Sequence, residues 1–190
     1  MKKLIWSALI FLTISCADNE YENSVIQFRA LKNENFNNPQ SSPLTQIERN
    51  LFKVLSYFEL NPDYKITAKL KKETYPKYIR LFKDDKVEEI HQLTGKVEFV
   101  FNNKTVKLSV FTSLNQAPNK LFIPFKDLSN GISTYAGGKY IEAEILNDTT
   151  CAIDFNFSYH PFCAYNEKYT CPIPPIENFI NDSILAGEKN

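Results

Sequence analysis

Four cysteines (Cys16, Cys151, Cys163 and Cys171) and two histidines (His91 and His160) are the side chains best suited to chemistry in this chain. Cys163 and Cys171 enclose a short loop, and in an oxidising envelope they are the natural pair for a disulfide. Two reduced thiols are the first alternative. The second is a metal set of His160, Cys163 and Cys171, but a structural zinc needs a fourth ligand. Cys163 as a nucleophile with His160 as its base lacks a third group to orient the pair. No metal and no cofactor is therefore expected. Cys151 is left over, beside an apolar strand. Among carboxylates, Asp127, Asp154 and Glu177 are the grouped candidates for acid–base work. There is no Gly-x-Ser-x-Gly, no His-Glu-x-x-His and no phosphate loop.

Cys16 belongs to a different pattern. Lys2 and Lys3 precede an apolar run from Leu4 to Leu12, and Thr13-Ile14-Ser15 places a small residue directly before the thiol. A bilayer crossing takes roughly twenty apolar residues, so this run is too short to be a retained span. It reads as a lipoprotein signal peptide cleaved before Cys16, whose thiol then carries palmitate-type acyl chains. Two or more such chains hold a protein firmly to a membrane. The expected organisation is a signal over 1–15, a polar and acidic tether over 16–24, and a single globular domain over 25–190. The expected location is a bacterial cell envelope, with the anchored domain facing the periplasm or exterior.

Loss of Lys2 and Lys3 with the signal leaves 20 basic residues against 22 acidic ones. No basic stripe matches a phosphate backbone, so nucleic acid is not expected as a partner. Fifteen Phe and ten Tyr suit a pleated core better than a helical bundle. The elements that must position the reactive groups follow from periodicity. Val25, Phe28 and Leu31 predict a helix over Tyr21–Asn37. Ser42 as cap, Pro43 in the first turn, and the stripe Leu44, Ile47, Leu51 and Leu55 predict a second. From Tyr64 onward the period becomes two. Ile66, Ala68 and Leu70 alternate with polar residues, and so do Ile141, Ala143 and Ile145, and Ile153, Phe155 and Phe157. Val97 to Phe101 and Val106 to Val110 flank Asn102-Asn103 as a hairpin. Leu121–Phe125 is apolar on both faces, and Pro124 pushes it towards a sheet edge or a strand end. With Tyr78–Phe82 and Val87–Gln92, about seven or eight strands follow two helices. The fold class is mainly β (α+β), an antiparallel barrel or sandwich, with an ordered Pro/Cys/Tyr-rich C-terminal loop.

Several segments resemble the bacterial family catalogued as domain of unknown function 1684. They are Leu121 to Asp127 with Thr134-Tyr135-Ala136-Gly137-Gly138-Lys139-Tyr140, Ile153 to Asn156 with Tyr159 to Asn166, and Tyr169 to Pro175 with Glu177-Asn178. The closing Ala186-Gly187-Glu188-Lys189 completes the likeness. Two positions depart from the family pattern: His160 stands where Asn is usual, and Lys139 where Arg is usual. The resemblance implies no activity.

The candidate pocket groups Asp127, Tyr135, Lys139, Asp154, Asn156, Tyr165, Glu177 and Asn178, with the C-terminal loop folded over one end of the sheet. The competing expectation is that these polar groups satisfy the loop's own backbone. The favoured function is binding of a small polar ligand or glycan. One alternative is a hydrolase-type enzyme using Asp127, Lys139, Asp154 and Cys163, and another is a structural or assembly protein without a pocket. Asp127 as a turn residue and Gly137-Gly138 as a tight turn are the simpler roles for those positions.

Overall fold

The computed structural model describes residues 6–83, 87–112 and 119–190. Among the described residues, a long helix, α1 (Trp6–Asn37), and a short one, α2 (Gln46–Leu51), precede nine strands. Six of the strands close a barrel: β2 (Lys65–Lys83), β3 (Val87–Phe101), β4 (Lys104–Thr112), β5 (Lys120–Asp127), β6 (Lys139–Asn147) and β7 (Thr150–Asp154). The order β4-β3-β2-β7-β6-β5 is antiparallel throughout, and contact between β4 and β5 closes the ring. Short strands β1 (Ser56–Tyr57) and β9 (Glu188–Lys189) pair beside it, and β8 (Phe179–Ile180) adds to β5 in parallel. Among the described residues, no helix is long and apolar enough to cross a membrane.

Period-two alternation explains the barrel. Ala68, Val97, Leu108, Ile123, Ile141 and Ile153 point inward and are fully buried, each from a different strand. Asn102 and Asn103, at φ 46° and 60°, form the tight turn joining β3 to β4, the backbone that twisted hairpins favour. The segments Tyr78–Phe82 and Val87–Gln92 are not separate strands. They extend β2 and β3 into one long hairpin with a register shift between Lys72 and Lys77.

Among the described residues, the seam between β4 and β5 has one paired position, Phe111 opposite Phe122. Pro124 lies beside that seam, where its missing N–H leaves no ladder partner unfilled. The fully buried Asn178 supplies the missing bonds. Its Oδ1 accepts the Ser109 N–H at 2.7 Å, and its Nδ2 donates to the Ser109 carbonyl at 2.9 Å and the Pro124 carbonyl at 2.8 Å. A side-chain amide thus stands in for a stretch of β-ladder. Glu177 sits on the same seam, its Oε1 accepting the Ser109 hydroxyl at 3.3 Å.

Four local expectations are corrected. Ser42 does not cap α2. Its hydroxyl donates to the Phe36 carbonyl at 2.6 Å and finishes α1, while Thr45 and Glu48 form the capping box of α2. The stripe on α2 faces outward: Ile47 and Leu51 are about three-quarters exposed, and only Leu55, beyond the helix, is buried. On α1 the inward line is Val25, Phe28, Lys32 and Phe36, at spacings of three and four, which turns Leu31 outward. The alternation after Ile153 also stops being a strand. Asp154 caps a 3-10 turn over Phe155–Phe157 by accepting the Asn156 N–H at 3.0 Å.

Residues 155–190 pack on the barrel as short 3-10 turns and strands. Ile180, Ile184 and Ala186 join the interior cluster and close the end where β5 finishes and β6 starts. Gly187 makes the return possible. Its φ is 74°, and a side chain there would meet Ser158 and, at 2.8 Å, the Phe155 carbonyl.

Candidate functional site

The polar residues of the C-terminal third fall in distinct places. At the closed end of the barrel, Lys139 and Asp127 form an ion pair with no solvent exposure, Nζ to Oδ2 3.1 Å. Lys139 also donates to the Ile184 carbonyl at 2.7 Å and lies 5.5 Å from the Phe125 ring centre. Asp127 Oδ1 accepts the N–H groups of Ser129 at 2.7 Å and Ile184 at 3.4 Å. Burial pulls the Lys139 ammonium below its ordinary range, and Asp127 opposes that shift. Gly138, at φ 105°, takes the chain into β6, and a Cβ there would meet the Phe125 carbonyl at 2.7 Å. The pair is walled in by backbone and aromatic carbon, and no face of it is open to a substrate.

A second charged group lies where α1 meets the end of the chain. Lys32 donates to Glu188 Oε2 at 3.1 Å and stands 4.3 Å from the Tyr159 ring centre. Glu188 is fully buried, accepts the His160 N–H at 3.2 Å, and places Oε1 3.6 Å from His160 Nδ1. His160 Nε2 accepts the Tyr135 N–H at 3.2 Å, which fixes the neutral imidazole with its proton on Nδ1. Burial, with help from Lys139 and Lys32, pulls the imidazole down to about 3. Burial also holds the Glu188 carboxyl above its ordinary value, with Lys32 opposing.

Asp154 and Asn156 form a third place, on the barrel wall facing α1. Asn156 is fully buried; the two N–H groups of its Nδ2 are shared among Tyr21 Oη at 3.0 Å, the Asn61 carbonyl at 2.9 Å and Asp154 Oδ1 at 2.9 Å. Its Oδ1 accepts the Asn61 N–H at 3.1 Å. Both N–H groups and the carbonyl of its amide are engaged in holding α1 and the Asn61 turn against the barrel. Tyr21 and Ser24, within the polar stretch before the domain, are helical here, and both face the body of the protein.

Beside this contact lies an open cleft of about 1050 Å³ between α1 and the outer surface of β5 to β7. Tyr21, Phe28 and Phe36 line one side, and Lys65, Glu142, Glu144 and Asp154 the other. Phe157, Tyr159, Phe162 and Tyr169 complete it from the C-terminal loop. Phe28 and Phe157 meet edge to face at 5.1 Å. Lys65, Glu142 and Glu144 are exposed, so here charge faces solvent beside aromatic surface.

Among the described residues, Cys151, Cys163 and Cys171 are not joined in disulfides. Cys151 lies inside the barrel, where burial pushes it up to about 11. Cys163 and Cys171 touch: Cys171 Sγ accepts the Cys163 N–H at 3.2 Å. The Cys171 thiol, then the Tyr135 hydroxyl at 4.0 Å and two backbone amides, lower Cys163 to about 7 against the effect of burial. Tyr165 packs edge to face on Phe36 at 4.7 Å, with His160 at 6.5 Å.

The candidate pocket residues are therefore distributed. Asp127 and Lys139 meet at the closed end, Asp154 and Asn156 meet beneath α1, and Glu177 and Asn178 meet at the seam. Tyr135 and Tyr165 flank His160. Of the eight, only Asp154 lines the cleft. Periodicity and motif spacing missed Lys32 and Glu188. Lys32 does carry a signal, since it falls between Phe28 and Phe36 on the apolar line of α1. Glu142 and Glu144 are legible only as the outward half of a strand.

This architecture, a closed six-stranded antiparallel barrel with an N-terminal helix laid along its wall, is a shared fold. The chain belongs to the family described as protein of unknown function DUF1684, which matches residues 50–189. It is similar to an uncharacterised protein of Haloarcula marismortui solved by solution NMR, with 30% identity and a TM-score of 0.74. That similarity covers 92% of this chain and 96% of the archaeal one. No curated protein matches the chain.

Proposed function

We propose that this is a lipid-anchored cell-envelope protein whose cleft between α1 and the barrel binds a small polar ligand with a flat apolar face, such as a sugar or short glycan. The cleft carries the reading. Its rings supply stacking surface, and Lys65, Glu142, Glu144 and Asp154 supply charged hydrogen-bonding groups around them. The closed Asp127–Lys139 pair offers no comparable access, so a hydrolase built on it is disfavoured. The anchor belongs to the same reading. Cys16 precedes Tyr21 by five residues, which on a helix is about 8 Å, so the lipid would hold the cleft close to the membrane surface.

Calorimetry and thermal-shift screening against saccharides and polar metabolites test the cleft. A ligand whose affinity falls when Tyr159 is replaced by Ala supports it. A screen without a single binder would leave an assembly role in its place. Replacement of Cys16 by Ala should move the protein expressed in bacteria from the detergent phase to the aqueous phase, and unchanged partitioning would remove the anchor.

A further inference from the structure

The two touching thiols lie at the ends of the loop whose Phe162 and Tyr169 flank them and wall the cleft. Phe162, next to Cys163, packs on Phe36 of α1 at 6.2 Å, and Asn166 Nδ2 donates to the Pro43 carbonyl just beyond α1 at 2.7 Å. The Cys163 turn is thus held by the helical side. Cys171 is held by the barrel side. It packs on the outer cluster of Leu93, Phe111, Phe122 and Tyr140, and the Tyr140 hydroxyl donates to the adjacent Pro172 carbonyl at 2.5 Å. Phe162 and Tyr169, both within or beside the loop between the thiols, wall the cleft and meet edge to face at 5.3 Å.

We infer that Cys163 and Cys171 form a reversible dithiol–disulfide pair whose oxidation ties the helical wall of the cleft to its barrel wall. The inference about the cleft's walls rests on the cleft being the binding site; the redox chemistry does not. The oxidant is a disulfide, either small or borne by an exchange protein. The Cys163 thiolate attacks one of its sulfurs and expels a thiolate, giving a mixed disulfide. Cys171, giving up its proton, then attacks Cys163 Sγ and expels the second thiolate. Two electrons and two protons pass to the oxidant, which leaves as two thiols. Both thiols are partly accessible, and the Tyr135 hydroxyl beside Cys163 stabilises the attacking thiolate.

The test treats the intact protein with oxidised glutathione, followed by mass spectrometry and hydrogen exchange. The wild type should lose about 2 Da, the two thiol hydrogens, and regain them with a dithiol reductant. Cys171→Ser should instead retain a glutathione adduct on Cys163. On oxidation, amides in segments 36–45 and 162–171 should exchange about threefold or more slowly, with no change in Cys171→Ser. A wild type that stays a dithiol, or stops at the adduct, overturns the pair. A disulfide that leaves exchange in 36–45 unaltered overturns the tie between the walls. Neither readout needs a ligand, so either failure is separate from failure of the binding screen.

Discussion

The closed end of the barrel and the cleft beneath α1 both gather acidic and basic side chains against aromatic carbon, but they use them in opposite ways. At the closed end, Lys139 and Asp127 are sealed from water, and their bonds go to each other and to the backbone around Ser129 and Ile184. In the cleft, Lys65, Glu142 and Glu144 stay exposed, with Glu144 loosely paired to Lys120 at 3.6 Å and Lys65 lying 4.5 Å from the Tyr21 ring centre. A buried charge must be fully partnered or it costs several kcal/mol, so the first arrangement is committed to the fold. Exposed charges cost little to hold and remain free to meet something else. Proximity of charged residues is thus a weak guide to function, and the state of their bonding is the better one.

Four substitutions would break or sharpen this contrast. The largest effect is expected for Lys139→Met, which strands the Asp127 carboxylate. Stability measured by chemical denaturation should fall by about 3–5 kcal/mol. A loss below about 1 kcal/mol would show that the closed end tolerates an unpaired charge. Asn178→Ala at the seam should cost about 2–3 kcal/mol, because the Ser109 N–H and two carbonyls lose their partner together. Slowest-exchanging amides of β4 and β5 should show the same loss.

His160 predicts a pH dependence. Its imidazole is neutral in the fold down to about 3, whereas the unfolded chain protonates near the ordinary 6.5. Below 6.5 the unfolded state therefore binds more protons, and stability falls as pH drops towards 3. Between pH 7 and pH 5 the share of His160 is about 2 kcal/mol. Glu188, raised by burial, titrates in the opposite sense, so His160→Asn, which keeps Glu188, isolates the imidazole. Melting curves of that variant should be flatter over this window than those of the wild type. Equal slopes would refute the burial of a neutral ring.

The smallest effect on stability belongs to the cleft. Glu142→Gln should stay within about 0.5 kcal/mol of the wild type, as exposed substitutions do. Its affinity for any ligand found in the cleft should nonetheless fall, by calorimetry. A variant that loses stability but not affinity would reverse the roles assigned to the two regions.

Much of the barrel was legible in the chain. Inward alternation in Ala68, Val97, Ile141 and Ile153 and the Asn102-Asn103 turn follow from local periodicity and backbone chemistry, whereas β5, apolar on both faces, carried no such period. The resemblance in the last third pointed to the right family. The candidate site was less legible, because polar groups in irregular segments choose partners far away in sequence. Asn156 reaches Tyr21 and Asn61, and Asn178 reaches Ser109 and Pro124, contacts that no spacing rule encodes.

What the sequence alone determined is what depends on neighbours within a few residues: which faces are apolar, where hairpins turn, and which segments lack a period. Only the tertiary structure decided where charge is sealed and where it is open. Burial of Lys139 and Glu188, and exposure of Glu142 and Lys65, depend on which distant backbone closes over them. Desolvation is a property of the whole packed surroundings, and no local pattern carries it.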